Sequence, residues 1–253
     1  MNGIFRLIAF LMLTIFISCD SNTETKAKDI KAQSNKRSFD RDSLNHYFED
    51  HEIKPSIVVN NNKGTQTEVQ LLNHQIKWLY SDVETKIKIK NDLFSLSNKV
   101  TLNIVWENKD TVDFANNWDE IKLYKINSRE LIGIKMSYQP CTGLGCDVHY
   151  FLIYDLQTQS KNYFGTFRTD DKLALYNFNN DDKIDYLSKT FSGGAHGSTP
   201  MEFIYELFSM DSNGQFVQQI NNNGQVYQIK QTTFPNDTTK SETFEIKWMT
   251  ELK

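Results

Sequence analysis

Apolar and polar residues alternate through most of the chain beyond residue 80. Thr85-Lys86-Ile87-Lys88-Ile89-Lys90 puts Ile87 and Ile89 on one face and the lysines on the other, the pattern of a half-buried strand. The same period of two runs through Val100–Trp106, Ile121–Ile126 and Glu130–Met136. Further strands are predicted at Val148–Tyr154, Lys161–Arg168, Leu173–Phe178, Ile184–Phe191, Glu202–Met210, Gln215–Ile220, Gln225–Lys230 and Thr243–Met249. Asp211-Ser212-Asn213-Gly214 and Asn221-Asn222-Asn223-Gly224 each end in Asn-Gly, a hairpin marker because both residues tolerate positive φ. The regular spacing predicts an all-β fold, an antiparallel meander forming a sandwich, a barrel or a partial propeller. No repeat period is clean enough to define a complete propeller.

The first residues follow another pattern. Arg6 precedes the apolar run Leu7–Ile17, which has signal-peptide length and is short for a bilayer span. From Asp20 to about Asn45 the chain is almost wholly polar, too poor in apolar area to offset the entropy of ordering it, which predicts a disordered tether. Leu44, Tyr47 and Phe48 have helical spacing, so a short amphipathic helix is expected near Ser43, and Pro55 ends it. The expected division is a signal peptide at 1–18, a flexible tether at 19–46 and a single β-rich domain at 47–253.

Phe16-Ile17-Ser18-Cys19 resembles the lipobox of bacterial lipoproteins, with Phe16 where Leu is commoner. The resemblance implies cleavage before Cys19 and attachment of palmitate-type chains, which places the protein in the bacterial cell envelope on a periplasmic or surface face. A buried methylene contributes about 0.8 kcal/mol and one chain anchors only marginally, whereas the two or three chains of that family anchor stably. Asp20-Ser21-Asn22 does not select one membrane or leaflet.

Composition narrows the classes. Hydrophobic residues are 39% and aromatic residues 13% of the chain, including 17 Phe and 11 Tyr, enough to build a core without staples. A net charge of -4 with no basic block excludes the electrostatic footprint of a nucleic-acid binder. Cys141 and Cys146 flank a Gly-rich turn, and an exported chain meets oxidising conditions, so a disulfide is the preferred reading. Free thiols and a metal site with His149 are the alternatives, the latter short of a fourth ligand for structural zinc. His149 shares its strand face with Phe151 and Ile153, which predicts a packed histidine.

Between Asn177 and Leu187, side-chain oxygens alternate at Asn177, Asn179 and Asp181, with Asp185 following. This stretch resembles the D-x-N-x-D-G-x-x-D calcium loops of FG-GAP and VCBS-type β-propeller repeats. Asn177 stands where that family has Asp, and Asp182 where it has Gly. The resemblance implies a calcium ion held by Asn177, Asn179, Asp181 and Asp185 with a carbonyl near Lys183; the residues read alone give a polar turn. Ser192–Ser198 lacks the G-x-S-x-G context of a nucleophile, and His46 and His51 are not aligned on one helix face.

No catalytic residue is assigned, although paired carboxylates for glycoside hydrolysis are usually distant in sequence and leave an enzyme open. The reading is a lipid-anchored envelope protein with a β-rich binding or interaction domain for an envelope protein or glycan. The alternatives are an envelope hydrolase with a carboxylate-based site and an accessory subunit of a membrane complex.

Overall fold

The computed structural model describes residues 37–39, 41–61, 66–81, 84–96, 118–138, 148–167, 172–178, 181, 183–193, 200–234 and 243–247. The leader, Cys19, the expected strand at 100–106, the Cys141 and Cys146 turn, Asn179 and the loop at 194–199 lie outside these residues.

The described elements are β1 (Arg37–Phe39), α1 (Arg41–His51), β2 (Glu52–Ile53), β3 (Ile57–Asn60), β4 (Glu68–Leu71), β5 (His74–Tyr80), β6 (Thr85–Ile89) and β7 (Asp92–Ser95). They continue with β8 (Trp118–Ile126), β9 (Arg129–Tyr138), β10 (Val148–Asp155), β11 (Lys161–Phe167), β12 (Leu175–Tyr176), β13 (Asp185–Gly193), β14 (Met201–Met210), β15 (Phe216–Gln218), β16 (Gln228–Thr233) and β17 (Thr243–Lys247). Every strand pairing is antiparallel. A first sheet runs β4-β5-β6-β7, a second β11-β10-β9-β8-β3, and a third β1-β17-β16-β14-β13-β12-β2 with β15 on β14. The strand orders are open, so among the described residues the fold is a set of antiparallel sheets and not a closed barrel.

The alternation explains which faces meet. On the first sheet Val69, Leu71, Ile76, Trp78, Ile87 and Ile89 are buried, while Lys77, Lys86 and Lys88 lie on the outer face. The second sheet is covered on both sides, which is why Leu131–Ile134 and Tyr150–Tyr154 read as unbroken buried runs. One cluster joins the first sheet to Ile121, Ile134 and Leu152 of the second, with Trp78 stacked on Trp118 at 5.4 Å between ring centres. A second cluster joins Tyr124, Leu131, Phe151 and Ile153 to Leu173, Leu175, Ile184 and Tyr186. A third packs Leu44 of α1 on Phe178, Leu207, Tyr227 and Ile229.

Gly133 makes the second contact close: a Cβ there would stand 2.7 Å from Leu173 Cδ2 and 3.3 Å from Tyr124 Cε2. The Leu173 carbonyl accepts hydrogen bonds from buried Lys122 Nζ at 2.8 Å and from Tyr124 OH at 3.2 Å. Lys122 is also paired with Glu120 at 2.8 Å, so its buried charge is compensated. Burial pushes the Tyr124 hydroxyl far above its ordinary range.

Two consecutive ten-residue segments, Asp211–Ile220 and Asn221–Lys230, repeat one turn. The Asp211 carboxylate accepts the Asn213 and Gln215 N–H groups at 2.9 Å, and the Asn221 side chain accepts those of Asn223 at 2.9 Å and Gln225 at 3.0 Å. Only the glycines take positive φ, +77° at Gly214 and +75° at Gly224, and Asn213 and Asn223 do not. Gly214 alone is built into the interior: its carbonyl accepts from Ser160 Oγ at 2.5 Å and Asn162 Nδ2 at 2.8 Å, beside the fully buried Asp155. Arg129 compensates Asp155, with Nη1 3.1 Å from Oδ2.

Two expected strand boundaries differ, while β1 (Arg37–Phe39) pairs with β17 and the expected short helix is α1 (Arg41–His51). Leu173 and Ala174 are buried but precede β12, which is only Leu175–Tyr176. The strand expected at 225–230 is displaced to β16 because Gln225 closes the preceding turn, with Asn221 N–H on its carbonyl at 2.8 Å.

Candidate functional site

The helix α1 forms because its apolar residues at Leu44, Tyr47 and Phe48 fall on one side, and that side meets an aromatic face of the third sheet. Tyr47 stacks on Phe178 with ring centres 5.7 Å apart, and Phe178 stacks on Tyr176 at 4.8 Å. Phe48 leans on Tyr176 at 5.8 Å and Tyr205 at 6.4 Å. The face stops short of complete filling. Beside Phe48 it leaves a cavity of about 310 Å³.

Leu44, Phe151, Tyr186 and Leu187 supply the apolar part of this cavity, and Phe48, Tyr176 and Tyr205 its amphipathic aromatic wall. Its polar lining is Asn45 on α1, Lys172 before β12, Lys189 on β13 and Gln231 on β16. Strand register places these groups together: Lys189 lies opposite Tyr205, and Phe203 opposite Gln231. Lys189 Nζ rests 4.8 Å from the Phe203 ring centre and 5.1 Å from that of Tyr205, a braced cation. Tyr205 OH donates to Gln231 Oε1 at 2.9 Å. Among the described residues the lining holds two lysines and no carboxylate, against a net charge of -4 for the whole chain.

Lys172 reaches the cavity rim while its Nζ pairs with Glu52 Oε1 at 2.6 Å, and Lys54 pairs with the other oxygen at 2.6 Å. Burial pushes the Glu52 carboxyl up, but the hydrogen bonds and charges of Lys172 and Lys54 outweigh it and hold the group below its ordinary range. The rim therefore presents Lys172 with its position fixed by a carboxylate behind it.

The Asn177 loop lies at the end of the same aromatic face. Asn177 N–H donates to the His51 carbonyl at 2.9 Å, while Asn177 Oδ1 is buried and has no hydrogen-bond partner among the described residues. Asp181 is exposed, accepting the Lys183 N–H at 3.0 Å and facing Lys183 Nζ at 3.3 Å. Asp185 is buried; one oxygen accepts the Phe178 N–H at 3.0 Å and the other the Ser209 hydroxyl. Burial raises the Asp185 carboxyl above its ordinary range despite these two bonds, and burial, with the Asp185 charge second, raises the Tyr47 hydroxyl. The loop thus brings Asn177 and Asp185 into the fold while Asp181 stays at the surface. Among the described residues no three His, Cys, Asp or Glu side chains gather as a metal-binding group.

His149 is buried, with Nδ1 3.2 Å from Ser137 Oγ, and Ser137 donates to Asp119. The serine stands between the acid and the imidazole, the reverse of a triad in which the imidazole takes the serine proton. His46 is exposed beside Glu49 at 3.8 Å, whereas His51 Nδ1 lies 2.7 Å from the Tyr47 carbonyl. A second concavity of about 340 Å³ adjoins Arg129 and Lys183, but Arg129 is committed to Asp155 and to the Ser212 carbonyl at 3.1 Å.

The aromatic cavity has no single sequence motif. Its lining comes from α1, β10, the segment before β12, and β12, β13, β14 and β16, so only pairing of distant strands assembles it. The available signal was a lysine, Lys189, within the otherwise strand-forming run after Ile184. Comparison of the chain with known protein families, with characterised proteins and with solved structures returns no match.

Proposed function

We propose that the protein is a lipid-anchored cell-envelope binding module whose β-rich domain takes a ligand in the cavity between α1 and the third sheet. The observation that carries this reading is the cavity itself: an aromatic wall with four convergent polar side chains, Asn45, Lys172, Lys189 and Gln231. Binding sites are concave and furnished with placed polar groups, and a volume of about 310 Å³ is at the small end of that class. Among the described residues the lining holds no carboxylate pair of the kind glycoside hydrolysis uses. Cys19 supplies the membrane attachment.

Asn45 is exposed on α1 and lines the cavity, so Asn45→Trp fills the space without removing a core side chain. Immobilised wild-type and Asn45→Trp chains are exposed to the same solubilised envelope glycan and protein fractions. The reading expects a species retained by the wild type and released in the variant. Equal retention by the two, with both folded by circular dichroism, refutes the cavity as the binding site.

A further inference from the structure

The two repeated turns share a chemically labile pair but hold it differently. We infer that Asn223 is a modification site, converting spontaneously to aspartate and isoaspartate in the folded protein, while Asn213 in the matched turn is protected; this does not depend on the cavity. Both turns carry Asn-Gly-Gln, at Asn213–Gln215 and Asn223–Gln225. In such a pair the main-chain nitrogen of glycine attacks the side-chain carbonyl carbon of asparagine, because glycine has no Cβ to obstruct the approach. The bond from the glycine nitrogen to Cγ forms and the Cγ–Nδ2 bond breaks. The glycine amide proton goes to solvent base and the side-chain nitrogen leaves as ammonia. Water then opens the five-membered imide at either carbonyl, giving aspartate or isoaspartate.

Attack requires the Asn-Gly peptide to rotate toward the side chain, which moves the glycine. Asn213 and Asn223 are both exposed. Gly214 N–H donates to the Asp211 carbonyl at 3.1 Å and Gly224 N–H to the Asn221 carbonyl at 2.9 Å, so that bond does not separate the two. Their surroundings do. Gly214 is buried, its carbonyl receives Ser160 Oγ and Asn162 Nδ2, and three side-chain oxygens stand within 2.6 Å of where a Cβ would lie, so rotation there breaks a packed node. Gly224 is exposed, with nothing within 4 Å of the same point among the described residues, so its turn opens locally at little cost. Charge acts in the same direction. The attacking nitrogen becomes anionic, and the Asp211 carboxylate folded over the first turn opposes that charge, whereas Asn221 in the equivalent place is neutral. Isoaspartate adds a main-chain methylene between Asn221 and Gln225, whose hydrogen bonds close the turn ahead of Tyr227 in the third cluster.

The test holds the purified full chain in warm, mildly alkaline buffer and samples it over weeks. Chymotrypsin cleaves after Phe216 and separates the two asparagines, and mass spectrometry with fragmentation follows the amide-to-acid change at each. Conversion at Asn223 is expected to be at least about tenfold faster than at Asn213, the rate effect of one buried hydrogen bond lost in the Gly214 node. The same chain in urea should convert both at one rate, since Gly-Gln follows each asparagine. Gly224→Ala should suppress conversion at Asn223 and leave Asn213 as it was. Equal rates in the folded chain, a faster Asn213, or conversion of neither while both convert in urea overturns the inference. A difference that persists in urea belongs to local sequence and overturns the structural protection, and undiminished conversion in Gly224→Ala overturns attack by the glycine nitrogen.

Discussion

The two repeated turns give a controlled perturbation in which backbone strain is matched and packing is not. Gly214 and Gly224 occupy equivalent places in Asp211-Ser212-Asn213-Gly214-Gln215 and Asn221-Asn222-Asn223-Gly224-Gln225, with φ of +77° and +75°. An alanine in the left-handed region costs about 1–2 kcal/mol at either place. At Gly224 the added Cβ meets nothing within 4 Å. At Gly214 it would stand 2.5 Å from Thr158 Oγ1, 2.6 Å from Asp155 Oδ2 and 2.6 Å from Ser160 Oγ. Those oxygens belong to a packed polar node in which Asn162 also receives the Phe216 N–H at 2.9 Å. Relieving the overlap displaces the node, at about 1–3 kcal/mol for overpacking and about 1–3 kcal/mol for a buried polar group left without its partner. Gly214→Ala should therefore exceed Gly224→Ala by about 2–6 kcal/mol, and its midpoint should be lower by roughly 4–24 °C for a domain of this size. Equilibrium urea unfolding and calorimetry of both variants decide the matter. Equal losses would mean that the Gly214 contacts carry no energy and that the buried node is wrongly described.

Asp185 has a raised folded-state pKa, so its contribution to stability is present below the unfolded value near about 4 and is lost as pH rises through the folded value. Asp185→Asn should flatten unfolding free energy against pH in that window, and an unchanged slope would contradict the assigned burial. Glu52 acts in the opposite sense: its lowered pKa stabilises above the unfolded value and that contribution is lost as pH falls, so Glu52→Gln should reduce acid sensitivity below about pH 4. Calcium at about ten times its Kd, expected at about 10⁻³ M or weaker, should add roughly 1.4 kcal/mol and raise the midpoint by about 3–6 °C. Asp181→Ala should abolish that rise, and a variant that responds like the wild type would leave the loop a plain polar turn. Cys141 and Cys146 should resist alkylation until reduced, and two freely reactive thiols in the exported protein would refute the disulfide.

The sheets were legible where one face meets water. In β6, Thr85, Ile87 and Ile89 are buried and the lysines between them are more exposed, as the alternation requires. The turns at Gly214 and Gly224 were legible because glycine signals them, although the positive φ belongs to glycine alone. The hairpins joining β4 to β5 and β6 to β7 gave no such sign. Their positive φ falls on Leu72 at 51° and Lys90 at 55°, residues that sequence rules do not associate with turns. Strands β1, β2 and β12 are too short to show a period, and long-range pairing defines each of them. The cavity was illegible for the same reason: Phe48, Tyr176, Lys189 and Tyr205 meet only after the helix and strands of the third sheet assemble.

The most direct measurement of the central claim is site-specific photocrosslinking in intact cells. A photoreactive phenylalanine analogue is placed at Asn45, on the cavity, and separately at Leu72, which is 54% exposed on the β4 to β5 turn. The account predicts a discrete adduct at position 45, in the membrane fraction, that is absent at position 72. Identical adducts at both positions, or none at position 45 with the protein present in the envelope, would contradict a binding module built on this cavity.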